Sequence, residues 1–208
     1  MNETCTIQKR RRRDSGFSLL EMLVVVGISM ILAGITTLSY VPMMKQQHVT
    51  SAYNATLTTL RRSRDQAATD MRVYVVSFTL PGTITVTQNT TTGPVLMTTV
   101  LPPDITFHVE PGVPTSPTVA PTTPDGFGTA ANAIDFDQGV GPAGGTVIYF
   151  YPAGTAQDLN GNVDSGVVYF GRVGDIYSSR AITLWGNTGR IRGWRLNSVG
   201  GIKTWQQD

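Results

Sequence analysis

An apolar run of 24 residues, at positions 17–40, restricts the fold of this chain more than any other feature. The run contains one charged residue, Glu21, and four consecutive arginines at 10–13 stand shortly before it. A helix of this length would be roughly 36 Å long, enough to cross a hydrocarbon core of about 30 Å. The sequence therefore predicts a transmembrane helix over residues 17–41. The arginines favour a cytoplasmic N-terminus, with the remainder of the chain on the other side of the membrane.

Glu21 is the unusual residue of this run. A carboxylate in hydrocarbon costs several kcal/mol unless it is neutral or paired, which makes it a candidate for function. The run contains no Lys or Arg that could pair with it. Cleavage between Gly16 and Phe17 would create a partner, because the new α-amine would lie four residues upstream on the first helical turn. That amine could pair with Glu21 of the same chain or of a neighbour. The simpler alternative is a plain single-pass anchor.

The segment "GFSLLEMLVVVGISMILAGI" resembles the class III signal of type IV prepilins and pseudopilins. That signal has a basic leader ending in Gly, then Phe, then an apolar helix with Glu at the fifth mature position. Gly16, Phe17 and Glu21 occupy these three places. The resemblance implies that residues 1–16 are a leader removed by a prepilin peptidase. It also implies that Phe17 is N-methylated and that Glu21 helps to register the subunit in a helical filament.

A second helical pattern follows the apolar run. Residues 42–71 predict the amphipathic second half of one long helix, about 80 Å from residue 17 to about residue 71. Leu38 stands where many major pilins have a helix-kinking proline, and Pro42 comes four residues later, so the sequence predicts any bend or break near Pro42. The apolar positions of the second half are Val49, Tyr53, Leu57, Leu60, Ala67 and Met71.

Residues 72–208 change to strand patterns separated by turns rich in Gly and Asn. A long N-terminal helix followed by antiparallel strands predicts an α+β fold, with a β-rich globular domain packed on the helix. Residues 110–128 hold five prolines and no periodicity, which predicts a loop or a partly disordered excursion.

The C-terminal third resembles the pseudopilin family called GspH/FimT, through "TVIYFYPAG", "GVVYFGRV" and "RAITLWGNTGRIRGWRL". Domains of that family commonly end in a strand with Gly-Arg-x-Arg, which Gly189, Arg190 and Arg192 match. The resemblance implies a minor subunit of a type II secretion pseudopilus or a type IV pilus. Its implied partners are other pilin or pseudopilin subunits, the prepilin peptidase and an inner-membrane assembly platform. Its implied location is the bacterial inner membrane, with a periplasmic C-terminal domain, and then the filament.

The same strand suggests an alternative function in DNA uptake. Arg190 and Arg192 alternate along a strand and so share a face, while Arg195 follows Trp194. Arginines grip phosphates, and Trp194 or Trp205 could stack on a base. The first 16 residues have five basic and two acidic side chains and the remainder has 11 and 12, so DNA binding would need a local patch. The simpler reading is a solvated strand face on which Arg190 anchors the hairpin.

Metal, cofactor and catalytic patterns are weak in this sequence. "DLNGNVD" imitates a calcium loop, with oxygen ligands at Asp158, Asn160, Asn162 and Asp164. Its glycine stands at loop position four instead of six, and the twelfth position is not acidic, so a Gly/Asn hairpin turn explains it more simply. The sequence has no H-E-x-x-H, G-x-S-x-G or P-loop pattern. It predicts no cofactor and no enzyme activity; a membrane-tethered enzyme is the most distant alternative.

Overall fold

The computed structural model describes residues 17–115, 126–128, 130–136 and 145–208, apart from the side chains of residues 36–42. The predicted leader at 1–16 lies outside these residues. The chain divides into two units, Met1–Met43 and Met44–Asp208. The division falls inside the long helix, near the boundary predicted at residue 41.

A single helix, α1 (Leu19–Asp70), begins the described chain, which confirms the helix predicted from residue 17 to about residue 71. The helix continues through Pro42 as one element, so no break in secondary structure occurs there. One proline removes a single backbone donor, and the surrounding apolar and amphipathic residues favour helix on both sides.

The first unit exposes its apolar side chains on every side of α1. All residues from 17 to 35 are exposed, including Phe17, Leu20 and Ile28. Across the described residues, none of the helices combines the length and mean hydropathy needed to cross a membrane. The membrane span over residues 17–41 therefore stays a prediction.

In the second unit α1 is amphipathic. Its buried positions recur every three or four residues, as expected for a helix that packs one face against a core. Met71 was predicted to belong to this face, but it is exposed. The helix ends at Asp70, and Met71 adopts a left-handed φ of 53°, which turns the chain away from the helix. The buried positions of the face are Val49, Ala52, Tyr53, Thr56, Thr59, Leu60, Ser63 and Ala67.

Ten strands and one short 3-10 helix, η1 (Ile176–Ser178), follow α1 in the described residues. They form two antiparallel five-stranded sheets, with orders β3-β2-β1-β5-β6 (sheet 1) and β10-β9-β8-β7-β4 (sheet 2). This arrangement confirms the α+β class. The strands are β1 (Tyr74–Thr79), β2 (Thr83–Gln88), β3 (Val95–Val100), β4 (Ile134–Asp135), β5 (Val147–Phe150), β6 (Ala156–Gln157), β7 (Gly166–Phe170), β8 (Arg180–Trp185), β9 (Arg190–Val199) and β10 (Ile202–Gln207).

One hydrophobic core joins α1 to both sheets. Leu60 of the helix, Ile148 of sheet 1 and Ile182 of sheet 2 all belong to it, and each is at most 1% exposed. The period-2 alternation of the strands points their apolar side chains to this core from both sheets. One face of sheet 2 therefore packs on the helix, and β9 lies next to α1.

The other face of sheet 2 is covered by the ends of the proline-rich segment. The Phe127 ring lies 5.2 Å from the ring of Trp194 and 5.7 Å from that of Trp205, measured between centroids. The Tyr169 hydroxyl donates to the Phe127 carbonyl at 2.6 Å, and Trp205 Nε1 donates to the Pro114 carbonyl at 2.8 Å. The middle of the predicted loop, residues 116–125, lies outside the described residues. Its two described ends pack on the sheet, because Val113 and Phe127 are buried among the aromatic side chains of the sheet.

Candidate functional site

The N-terminal signal lies at the start of α1. Gly16 is outside the described residues, while Phe17 is 72% exposed just before the helix. Glu21 is exposed in the first helical turn. A carboxylate there interacts favourably with the positive end of the helix dipole, so Glu21 also supports the start of the helix. The structure thus places Phe17 two residues before α1 and Glu21 in its first turn, on a segment whose neighbouring side chains are apolar.

The segment that carries Glu21 has almost no polar surface of its own. The Ser29 hydroxyl donates to the Val25 carbonyl at 2.7 Å, so this polar group is turned back onto the helix. A helix that is apolar all round is stable only when another chain or a lipid phase covers it. The segment therefore offers an apolar surface for association, with Glu21 as its one acidic side chain.

The three arginines predicted to bind DNA divide between two faces of β9. Arg190 and Arg192 lie on one face and are half-buried. Arg195 lies on the opposite face, where its Nη2 atom is 3.3 Å from Asp208 Oδ1. The odd spacing from Arg192 to Arg195 causes this separation, since neighbouring strand residues alternate in direction. The arrangement brings together two of the three predicted residues and leaves out the third.

Arg180 shares the face of Arg195 and is not available to a ligand. It is buried, and its backbone lies opposite that of Arg195 in the register of β8 and β9. Its Nη1 atom donates to the carbonyls of Tyr177 and Ser179. Burial lowers the pKa of Arg180, and the positive charge of Arg195 lowers it further. This arginine holds the start of β8 in place.

The hairpin before Arg190 is anchored from α1. Arg64 Nη1 donates to the Gly189 carbonyl at 3.1 Å, so Arg64 ties the hairpin to the helix. Gly189 has a φ of 60°, and a Cβ there would overlap the Gly154 carbonyl. The glycine of the Gly-Arg-x-Arg element is therefore required by the turn itself.

The glycine inside β9, Gly193, contacts a side chain of the helix. The phenol of Tyr53 lies directly over Gly193, and an added Cβ would be 2.6 Å from Cε2 of that ring and closer still to its oxygen. Tyr53 is 8% exposed. This contact was not predicted from the sequence, although a glycine inside a strand indicates close approach by another group.

The segment that imitates a calcium loop forms a hydrogen-bonded turn. Asp158 Oδ1 accepts hydrogen bonds from the amides of Asn160 and Asn162 at 2.9 and 2.7 Å, and Asp158 Oδ2 accepts one from Asn162 Nδ2 at 3.0 Å. Burial opposes ionisation, but hydrogen bonds from Asn162 and Asn160 outweigh it and lower the pKa of Asp158. Asp164 is fully buried. Within the described ranges no group of three His, Cys, Asp or Glu side chains could hold a metal, and the loop matches the hairpin-turn alternative.

An ion-pair network at the beginning of the second unit was not predicted from the sequence. Arg172 Nη2 donates to the Lys45 carbonyl at 2.7 Å and to Asp104 Oδ2 at 3.2 Å, while its Nη1 reaches Asp175. His48 Nδ1 lies 2.7 Å from Asp104 Oδ1. Burial raises the pKa of Asp104, but hydrogen bonds, led by that from His48, outweigh it and hold the pKa below its usual value. The network fixes α1 to the loop between β7 and β8.

Comparison with known proteins identifies the N-terminal segment. The family model for the prokaryotic N-terminal methylation motif matches residues 11–37, which include Gly16, Phe17 and Glu21. A search of curated proteins and a search of solved structures each returned no match. The chain thus carries a type IV pilin-like signal, which indicates processing by a prepilin peptidase, membrane anchoring and assembly with other pilin subunits.

Proposed function

We propose that this chain is a minor pseudopilin or pilin-like subunit of the GspH/FimT type. It enters the inner membrane through residues 17–41 and is cut between Gly16 and Phe17. The subunit is methylated at Phe17 and assembles into a type II secretion pseudopilus or a type IV pilus. The observation that carries the proposal is the exposed apolar helix with Glu21 as its one acid, inside the segment that matches the methylation motif.

Catalysis is no part of this role. The peptidase performs the cleavage and methylation, and a cytoplasmic ATPase drives assembly through the inner-membrane platform. The chain supplies an apolar surface, a registering carboxylate and a periplasmic domain, and it requires no cofactor. The Gly-Arg-x-Arg element at Gly189 supports the GspH/FimT assignment, since its glycine and its paired arginines occupy a hairpin and a strand late in the domain.

Processing tests the proposal directly. Co-expression of the full chain with a prepilin peptidase should give a protein that begins at Phe17 and carries one additional methyl group, as measured by intact mass spectrometry. Gly16→Val should stay uncut, because a branched side chain at the cleavage site obstructs the peptidase. An uncut wild-type chain, beside a control prepilin that the same peptidase cuts, would rule the proposal out.

DNA binding is the alternative function, and it is favoured by one observation. Arg190 and Arg192 share a face of β9 and are partly exposed, so two guanidinium groups could contact neighbouring phosphates. Arg195 cannot join them from the opposite face. The alternative therefore depends on two arginines.

A comparison of arginine variants on the two faces of β9 tests this alternative. If DNA binds, Arg190→Gln/Arg192→Gln should weaken binding by the processed full-length protein and reduce the slope of log affinity against log salt by about 2, or about 1 per lost phosphate contact. Arg195→Gln is the control, because that residue pairs with Asp208 on the other face and should leave the slope unchanged. Fluorescence anisotropy over a salt series measures both effects. Equal behaviour of the two variants would contradict a role for the Gly-Arg-x-Arg strand.

A further inference from the structure

The second unit has two identifiable ends, because α1 lies along β9. Lys45 lies at the level of Arg172, Tyr53 at the level of Gly193, and Arg64 at that of Gly189. From Lys45 to Arg64 the helix rises about 28 Å at 1.5 Å per residue. We name the surface at the Lys45 level the proximal end. The surface at the Arg64 level, which includes the loop with Leu159, is the distal end.

Large apolar side chains are exposed at the proximal end. Two of them, Val199 and Ile202, are each 65% exposed and face each other as cross-strand partners at the tip of the β9–β10 hairpin. Gly200 and Gly201 form the turn between them, with φ values of 59° and 82°. Both glycines have a positive φ, as in the tight two-residue hairpin turn. Because glycine has no side chain, the tip carries no polar side chain between its two apolar ones.

The neighbouring loop extends this surface. Val173 is 67% and Tyr177 is 51% exposed, and both lie between β7 and β8. Helix η1, which includes Tyr177, contacts β9, and the Leu196 amide donates to the Ser179 carbonyl, so the loop lies beside the base of the hairpin tip. The proximal end is thus formed by Lys45, Val173, Tyr177, Val199 and Ile202.

The charges at this end suit an interface with anionic groups. The acids Asp104 and Asp175 are already paired with Arg172, and the Glu110 carboxylate accepts from the Gly174 amide and lies 3.0 Å from His108 Nε2. Lys45 is exposed. Lys203, one residue after Ile202, is half-exposed and its Nζ donates to the Gly112 carbonyl at 3.5 Å. A tyrosine and lysines around aliphatic side chains are the combination that occupies the boundary between lipid headgroups and acyl chains.

The chain itself indicates what covers this surface. The second unit begins at Met44, one residue from Lys45, and the segment that leads into it is the exposed apolar helix of residues 17–35. A chain held by that segment in a bilayer enters its globular unit at the proximal end. We propose, on the basis of the membrane stage in the proposed function, that the proximal end rests on the bilayer before assembly. Val199 and Ile202 then insert at the headgroup boundary and Lys45 and Lys203 face anionic lipids.

Depth-dependent quenching tests the inference with the full chain. Single-cysteine variants Ile202→Cys and Leu159→Cys, made with Cys5→Ser, would carry a fluorescent label in vesicles of equal parts phosphatidylethanolamine and phosphatidylglycerol. Lipids brominated high on the acyl chain serve as the quencher. Leu159 is the matched control, since it is an aliphatic residue, 74% exposed, at the distal end. The label at 202 should be quenched several-fold more than the label at 159.

A third label, at Leu23→Cys, separates this inference from the proposed function. Strong quenching at 23 with equal, weak quenching at 202 and 159 would overturn the inference and leave the membrane stage intact. Failure of quenching at 23 would overturn both. If the label at 202 instead responded to labelled neighbouring subunits and not to brominated lipid, the proximal end would be a contact between copies, and the lipid assignment would be wrong.

Discussion

Glu21→Ala is expected to abolish filament assembly and leave cleavage at Gly16–Phe17 intact. In the proposed assembly the carboxylate of Glu21 pairs with the methylated amine of Phe17 on a neighbouring subunit, within packed apolar helices. Removal of one partner from a buried ion pair costs about 3–5 kcal/mol, because the other charge is left buried and unpaired. At about 1.4 kcal/mol per factor of ten, each subunit's association would weaken by roughly two to four orders of magnitude.

Two further substitutions identify the cause of that loss. Glu21→Gln keeps the size of the side chain and a hydrogen-bonding oxygen but not the charge, so assembly should stay strongly impaired. Asp65→Ala removes an exposed acid from the same helix that pairs only locally with Arg64, and it should assemble normally. Filaments sheared from cells and processed subunit in the membrane fraction provide the two readouts. Normal filaments in Glu21→Ala, or loss of processing in that variant, would contradict the proposed role.

The N-terminal signal and the helix could be predicted because their determinants are local. The spacing of Gly16, Phe17 and Glu21 is a short motif, and the three- and four-residue spacing of Val49 and Tyr53 repeats within a helix. The separation of Arg195 from Arg190 and Arg192 also follows from strand alternation alone. These features depend on residues that are close together in the sequence, so they can be predicted from the sequence alone.

The sheet arrangement and the role of the proline-rich segment depend on contacts between distant residues. Nothing near Phe127 in the sequence indicates that its ring packs against Trp194 and Trp205. The network of Arg172 with Asp104 and Lys45 likewise joins three separate parts of the chain. In residues 158–164 the spacing of Asp158, Asn160 and Asn162 imitates a calcium loop, but the direction of the Asp158 carboxylate depends on hydrogen bonds that spacing does not determine.

Gly193→Ala is expected to destabilise the globular unit strongly. The new Cβ would overlap the phenol of Tyr53, and neither β9 nor α1 can easily shift, because Arg64 and Gly189 hold them together nearby. Overpacking in a core usually costs 1–3 kcal/mol and occasionally more, and a clash with a ring belongs at the upper end, at about 3 kcal/mol. For a domain of this size we expect the melting temperature to fall by about 6–12 °C.

A double-mutant cycle shows whether the Tyr53 ring is the cause. Tyr53→Ala alone should destabilise the protein by about 3–5 kcal/mol, because it empties a buried aromatic site. In that background Gly193→Ala should cost almost nothing, since the added methyl group enters the vacated space, which gives a coupling energy of about 3 kcal/mol. Ser198→Ala, at an exposed position of the same strand, should change stability by less than about 0.5 kcal/mol. Additive effects of the two core substitutions would mean that Gly193 is required for a backbone reason and that the contact with Tyr53 does not fix β9 on the helix.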